Sequence, residues 1–332
     1  MGARCGRLFA DMRPQDVLLV NAGGRLHGPI EWTSVSKAGH PGGSPDGQGW
    51  LFDPSDPPVP SRRSAANGLV IREVRCRSLL NTCDIGDYSF NCYVGCSHNC
   101  GYCYARFMQR FHPHEEPWGT FVDVKVNAVQ ALSRQLRRLE PGSVFTCSAC
   151  DGWQPLEREY RLTRECCRLL LDAGFQLTVL TKSNLVLRDL DVFKGREVCV
   201  GVTITTPDES WARIWEPGAS AVAARCEVLK QARAAGLETA VMFGPLLPGI
   251  SDTDEALARL FRLAREARVG RIWTDGLNLR SGVWPSVQQV LRQHRPELLE
   301  QYRQILFEPA FRREYRRHLK QRIAKARRNM WR

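Results

Sequence analysis

Residues 91–106 read NCYVGCSHNCGYCYAR, and the purpose of these cysteines decides how the rest of the chain is understood. Cys96, Cys100 and Cys103 have C-x3-C-x2-C spacing within one short loop. Three thiolates from one loop leave the fourth corner of a cubane cluster without a protein ligand, whereas a structural zinc site requires four donors. Zinc, with Cys92 or His98 as fourth ligand, and a disulfide knot are the competing readings of the same residues. The 332-residue chain has thirteen cysteines. That odd number, in a chain too long to need covalent staples, points to reduced thiols, buried small hydrophobes or metal ligands and weighs against the knot.

Composition sets the frame around the loop. With 43% hydrophobic and 25% charged residues, the chain suits a soluble globular protein of one large or two modest domains. It has no run of about eighteen apolar residues, and its start, MGARCGRLFADMRP, lacks an apolar segment followed by a small-residue cleavage site. No membrane span and no secretory signal are therefore expected, and the location is expected to be cytoplasmic. The net charge is +12, from 47 Lys and Arg against 35 Asp and Glu. Residues 311–332, FRREYRRHLKQRIAKARRNMWR, hold ten basic residues and one acid, Glu314. Phe311, Tyr315, Leu319 and Ile323 recur every fourth residue there, an apolar stripe on one helical face surrounded by cations. Such a tail serves either a polyanion partner, DNA or RNA, or a docked terminal helix with a solvated basic face.

Along the chain, residues 1–66 read as a low-complexity linker rich in Gly, Pro, Ser and Asp, with VLLVNAGG a candidate short strand. From about residue 69 six β-rich runs appear, at 88–96, 143–150, 175–182, 197–206, 238–247 and 271–279. Segments of helical period separate them, three of which are expected to end at Gly174, Gly236 and Gly270. Strands alternating with helices argue for parallel βαβ units wound right-handed. Six units are too few for a closed eight-stranded barrel, so the expected fold is α/β, an open partial barrel of six βα units over 67–285, with a basic helical extension over 286–332. The cysteine loop follows the first strand, at the functional face.

C-x3-C-x2-C with an aromatic before the last cysteine, on the first strand-to-helix loop of a six-unit barrel, resembles the radical S-adenosylmethionine superfamily. GCSHNCGYCYAR, WGTFVDVKVN, DGWQPLEREYRLTR, VLTKSNLVLRDL, ITTPDESWARIWEPGAS and GPLLPGISD, in that order over about 74–285, resemble its spore photoproduct lyase-like branch. The resemblance implies a 4Fe-4S cluster held by Cys96, Cys100 and Cys103, with S-adenosylmethionine chelated by the remaining iron. Reduction would then yield a 5'-deoxyadenosyl radical that takes hydrogen from a substrate. It also implies an external electron donor such as flavodoxin or ferredoxin.

Residue roles follow from the same resemblance. Tyr102 and Tyr104 are expected beside the adenine and cluster, with ordinary aromatic packing as the alternative. Ser148, Asp151, Lys182, Thr203 and Thr205, at strand ends, are expected to face the cofactor, with Lys182 pairing to its carboxylate, and capping roles compete for each. Glu216 and Arg225 are expected as a buried ion pair holding a loop. Gln154 and Glu157 are expected to shape the substrate mouth. Spore photoproduct lyases return hydrogen from a cysteine where this chain has Ser148. Strand alternation puts Cys150 on the face of Ser148 and Cys147 on the opposite face, so Cys150 is the expected catalytic thiol, with two small core residues as the alternative. The expected substrate is a nucleic acid. A peptide, a tRNA base or a small metabolite remains open, as does a non-catalytic zinc-stabilised nucleic-acid-binding module.

Overall fold

The computed structural model describes residues 68–330 except 84 and 279, together with two strands at 18–19 and 62–64. The strands are β1 (Leu18–Leu19), β2 (Arg62–Ser64), β3 (Val70–Val74), β4 (Leu80–Thr82), β5 (Tyr88–Phe90), β6 (Tyr93–Val94), β7 (Phe121–Lys125), β8 (Ser143–Thr146), β9 (Gln176–Thr181), β10 (Val198–Thr203), β11 (Glu238–Leu246) and β12 (Arg271–Gly276). The helices are α1 (Ala128–Leu136), α2 (Glu157–Tyr160), α3 (Leu162–Asp172), α4 (Leu190–Phe193), α5 (Glu209–Trp215), α6 (Val222–Ala234), α7 (Asp254–Glu266), α8 (Val283–His294), α9 (Leu299–Phe307) and α10 (Pro309–Asn329).

The main sheet runs β1-β12-β11-β10-β9-β8-β5-β4. Its six central strands, β5 and β8 to β12, are parallel and lie in sequence order. Antiparallel β4 and β1 occupy the two edges, so the sheet stays open. This is the expected partial barrel, and helices covering the parallel strands explain their continuous apolar character. Every residue of β10, VCVGVT, is buried. The two residues of VLLVNAGG that are described do form a strand, on the β12 edge. Within the same 1–66 segment, Arg62–Ser64 forms β2, antiparallel to β3, and the rest of the segment lies outside the described residues.

Three local expectations are corrected. The run 88–96 is not one strand. After Phe90 the chain leaves the main sheet, and Tyr93–Val94 pairs with Val124 and Asp123 in a second sheet ordered β2-β3-β7-β6. Lys125 Nζ donates to the Asn91 carbonyl at 2.9 Å, fixing the crossover point. The segment after β8 is two helices. Arg161 takes a left-handed φ of 53°, and the Glu157 carboxylate accepts from the Thr163 and Arg164 amides at 3.0 Å, starting α3 afresh. Finally, Gly174 and Gly236 close their helices with φ of 81° and 82°, but Gly270 does not close α7. Arg268 takes the left-handed position there, at φ 49°, and the Val269 amide returns to the Ala264 carbonyl.

Candidate active site

Beyond the C-terminal ends of the parallel strands lies a cavity of about 150 Å³ that opens to solvent. Cys96, Cys100 and Cys103 line it, together with Tyr102, Tyr104, Cys147, Cys150, Asp151, Lys182 and Thr203. His98, Asp275 and Asn278 also line it. The last two, from the end of β12 and just beyond, were missed in the sequence reading, because that run was legible only as a strand.

The cysteine loop is held from three sides. Gln154, fully buried, accepts from the Ser97 amide at 2.9 Å. The Gly101 amide donates to the Trp215 carbonyl at 2.8 Å, and the Gly218 amide donates to the His98 carbonyl at 3.0 Å. Asn99, at φ 48°, sits against Gly119, whose φ is +100° and where a Cβ would fall 2.0 Å from the Asn99 Oδ1. Below the loop, Val283, Val287 and Leu291 of α8 and Tyr302 and Leu306 of α9 form a second core with Cys100, Tyr102 and Trp215.

Several expected roles change. Gln154 clamps the loop and does not shape the mouth. Glu157, fully buried, accepts from the Tyr93 hydroxyl and pairs with Arg188 at 3.1 Å, so it too is an internal brace. Ser148 does not line the cavity. Its Oγ lies 3.4 Å from both Ser89 Oγ and Asn91 Nδ2. Thr205 likewise turns away, with its single O–H shared between the Gly244 carbonyl at 2.9 Å and the Glu216 carboxylate at 2.8 Å. Cys147, expected on the far face, lines the cavity because β8 ends at Thr146 and Cys147 takes φ 58°, which breaks the alternation. Cys92 points into the main core, with its Sγ 3.7 Å from the Cys166 Sγ, and so is no fourth ligand beside the loop thiols.

The Glu216–Arg225 pair is present at 2.5 Å, and both residues are essentially unexposed. Burial pushes the Glu216 carboxyl up, but Arg225 and Lys182 beside it prevail and hold it below its ordinary 4.5. The Tyr102 hydroxyl donates to the same carboxylate, which anchors the ring in the cavity wall. Lys182 Nζ sits 5.7 Å from the Tyr102 ring centroid and makes no ion pair among the described residues. Burial opposes its charge, yet Cys100, wherever its sulfur is ionised, and Glu216 raise its pKa. Asp151 is spent on architecture: it accepts from Thr181 Oγ1, the Lys182 amide and the Trp153 amide at 2.7, 2.7 and 2.9 Å, while His98 Nδ1 lies 3.4 Å away. The Tyr104 hydroxyl donates to the Ser148 carbonyl.

A thiol-lined cavity with one ammonium, at the mouth of an open six-stranded parallel barrel, defines a protein that seats a sulfur-ligated cofactor and a small charged molecule together. The Radical SAM superfamily profile matches residues 90–261, more than half of the chain, and this protein belongs to that superfamily. An uncharacterized protein of Mycobacterium tuberculosis (strain H37Rv) is 32% identical over 273 residues, 78% of this chain and 80% of the relative. One from Methanocaldococcus jannaschii is 32% identical over 168 residues, 50% of this chain, and the chain covers 63% of that relative's length. Spore photoproduct lyase complexed with dinucleoside spore photoproduct shares the fold, with a TM-score of 0.54 over 72% of this chain and 80% of that one at 13% identity. A variant of that lyase with bound AdoMet and dinucleoside spore photoproduct gives 0.54 at 14% identity, with the same coverage. The cofactors are those of the superfamily, a 4Fe-4S cluster and S-adenosylmethionine.

The residues present fit the cluster. All twelve described cysteines are free thiols. Burial pushes the Cys96 thiol well above its ordinary range, Cys100 up to about 12 and Cys103 upward, so bare thiolates are disfavoured until a cation neutralises them. The Ala105 amide and the Trp118 indole lie near enough to Cys103 to favour its thiolate, and the Trp118 nitrogen is buried with no hydrogen-bond partner among the described residues. Hydrogen bonds to cluster sulfur are among the levers that set its potential. Among the described residues no three His, Cys, Asp or Glu side chains form a single-ion site.

Proposed function

We propose that this enzyme holds its cluster through Cys96, Cys100 and Cys103 and carries out hydrogen abstraction on a nucleic acid. One observation carries the reading: thiols from a single clamped loop share a cavity with Lys182, Thr203, Asp275 and Asn278 from the far ends of the strands. When bound, the reduced cluster and S-adenosylmethionine together supply a 5'-deoxyadenosyl radical. The chain's own contribution is positional. Lys182 offers a charged ammonium for the cofactor's carboxylate, and Thr203 offers a hydroxyl at the end of β10. Tyr102 and Tyr104 wall the site with rings whose hydroxyls are already committed to Glu216 and the Ser148 carbonyl. Cys150, on the cavity wall, is the thiol that returns hydrogen to product in this reading.

Nucleic acid as substrate class is supported by α10. Leu319, Ala326 and Met330 dock it on the main core, with Tyr315 and Ile323 packed beside them. Tyr315 and Arg322 bind Asp252 at 2.9 and 3.1 Å, and Lys325 binds Asp254 at 2.6 Å. Phe311, expected in the stripe, is 37% exposed. The helix is thus docked, and it still presents Arg313, Arg317 and Arg328 outward, a surface suited to phosphates. No helix among the described residues is long and apolar enough to cross a membrane, and free thiols throughout suit a reducing, cytoplasmic setting with a flavodoxin or ferredoxin as electron source.

The test is anaerobic reconstitution with iron and sulfide, followed by reduction with S-adenosylmethionine and oligonucleotides. The expected outcome is a brown protein, paramagnetic when reduced, that forms 5'-deoxyadenosine above its uncoupled background in the presence of a nucleic acid. A protein that assembles no cluster, or whose 5'-deoxyadenosine yield ignores DNA and RNA but rises with a peptide or metabolite, overturns the corresponding part.

A further inference from the structure

The loop after β8 reads TCSACDGW, residues 146–153, and places two cysteines where the cluster has no use for them. Cys147 and Cys150 are three residues apart, both line the cavity, and they lie near enough for Cys150 to help push the Cys147 thiol pKa upward. The turn that unites them is built for the purpose. Cys147 adopts φ 58°, and its Sγ occupies the space beside Gly152, where a Cβ would lie only 2.3 Å from the sulfur. Asn91 Oδ1 accepts from the Ala149 amide at 2.9 Å and from Cys150 Sγ at 3.5 Å, which holds the turn from the neighbouring strand. Cys150 is half-buried while Cys147 is 6% exposed, so of the two cysteines on the cavity wall Cys150 is the more accessible. An accessible thiol with a shielded neighbour at C-x-x-C spacing is the arrangement of redox-active dithiols.

We propose that Cys147 and Cys150 form a reversible dithiol–disulfide couple in the cavity wall, a second redox centre beside the three cluster cysteines, charged and discharged by small dithiols or dithiol proteins. In the oxidising direction the Cys150 thiolate attacks one sulfur of an incoming disulfide. The reagent's S–S bond breaks, a mixed disulfide forms, and the departing sulfur takes up a proton. The Cys147 sulfur, losing its proton, then attacks the Cys150 sulfur, closing the internal S–S bond and releasing the second reagent thiol. The net transfer is two hydrogens from protein to reagent, and reduction reverses each step. The consequence for turnover rests on the reading above: only the reduced pair presents an S–H to a radical in the cavity.

The experiment uses the full chain with its cluster reconstituted, equilibrated without air in buffers of stepped ratios of reduced to oxidised dithiothreitol, then acid-quenched, denatured, alkylated and digested with trypsin. The peptide 139–158 carries Cys147 and Cys150 and no other cysteine. The expected result is that this peptide passes from doubly alkylated to closed and lighter by two hydrogens as the buffer becomes oxidising. Cys92 and Cys166, fully buried although 3.7 Å apart, stay alkylatable throughout. Cys147→Ser and Cys150→Ser each abolish the closed form, and the wild-type titration stands alone if either variant fails to fold. A doubly alkylated peptide at every ratio overturns the proposal, as does closure of Cys92 with Cys166 in its place. Iron is measured on the same samples: closure of the pair in a chain that takes up no iron supports this couple and refutes the cluster reading, and the converse refutes the couple alone.

Discussion

Replacing Arg225 by methionine keeps most of its apolar stem and removes the guanidinium with its charge and hydrogen bonds. In the folded chain its guanidinium meets Glu216 at 2.5 Å and donates to the Ser220 and Thr203 carbonyls at 2.7 and 3.0 Å. Without it Glu216, wholly buried, keeps the Tyr102 and Thr205 hydroxyls but loses its only contacting cation among the described residues. Breaking a buried pair from one side costs about 3–5 kcal/mol, because a charge is left uncompensated. At about 2–4 °C per kcal/mol for a domain of this size, the midpoint of thermal unfolding falls by roughly 6–20 °C. The double variant Arg225→Met with Glu216→Gln removes both charges and recovers most of that loss, giving a coupling of at least about 2 kcal/mol in the double-mutant cycle. The assay is circular dichroism melting of iron-free and iron-loaded protein, so that metal binding does not hide the change. Because Glu216 lies between the Trp215 carbonyl and Gly218 amide that grip the cysteine loop, the single variant also retains less iron. A single variant melting within 2 °C of the parent (below the effect of ~1 kcal/mol), or a double variant no better than the single, refutes the reasoning.

Gly119→Ala forces a Cβ to within 2.0 Å of Asn99 Oδ1 at a backbone φ of +100°, so a stability loss of about 1–3 kcal/mol in denaturant titration and faster iron loss to a chelator are expected. His112 is buried, and burial, with Lys125 and His114 nearby, lowers its pKa from 6.5 to about 4. Its folded pKa lies below the unfolded one, so its contribution to stability is full above pH 6.5 and drains away as pH falls toward 4; a His112→Phe variant shows a shallower loss over that window in melts taken at stepped pH. Changing Arg313, Arg317 and Arg328 to serine lowers the slope of log affinity against log salt for duplex DNA by up to about 2.7, measured by fluorescence anisotropy, while leaving the melting temperature nearly unchanged.

The sequence by itself determined the thiol content of the cysteine loop and the repeat of the scaffold. C-x3-C-x2-C states how many thiols one loop supplies, and a helical period between apolar runs states a parallel α/β layer, because both signals are local and survive without coordinates. What local pattern could not carry was which sheet a strand joins and which way a side chain turns once a strand has ended. The run 88–96 keeps its alternation while changing sheets at Asn91, since period two describes a strand and not its partner. Alternation likewise put Cys150 with Ser148 and sent Cys147 away, but one left-handed residue after Thr146 turned Cys147 into the cavity and left Ser148 outside it. Gln154, Glu157 and Thr205 looked like cofactor or mouth residues because polar side chains follow strands there. Only the packed structure, where buried polar groups seek partners, assigned Gln154 to clamping the loop, Glu157 to starting α3 and Thr205 to the Glu216 network.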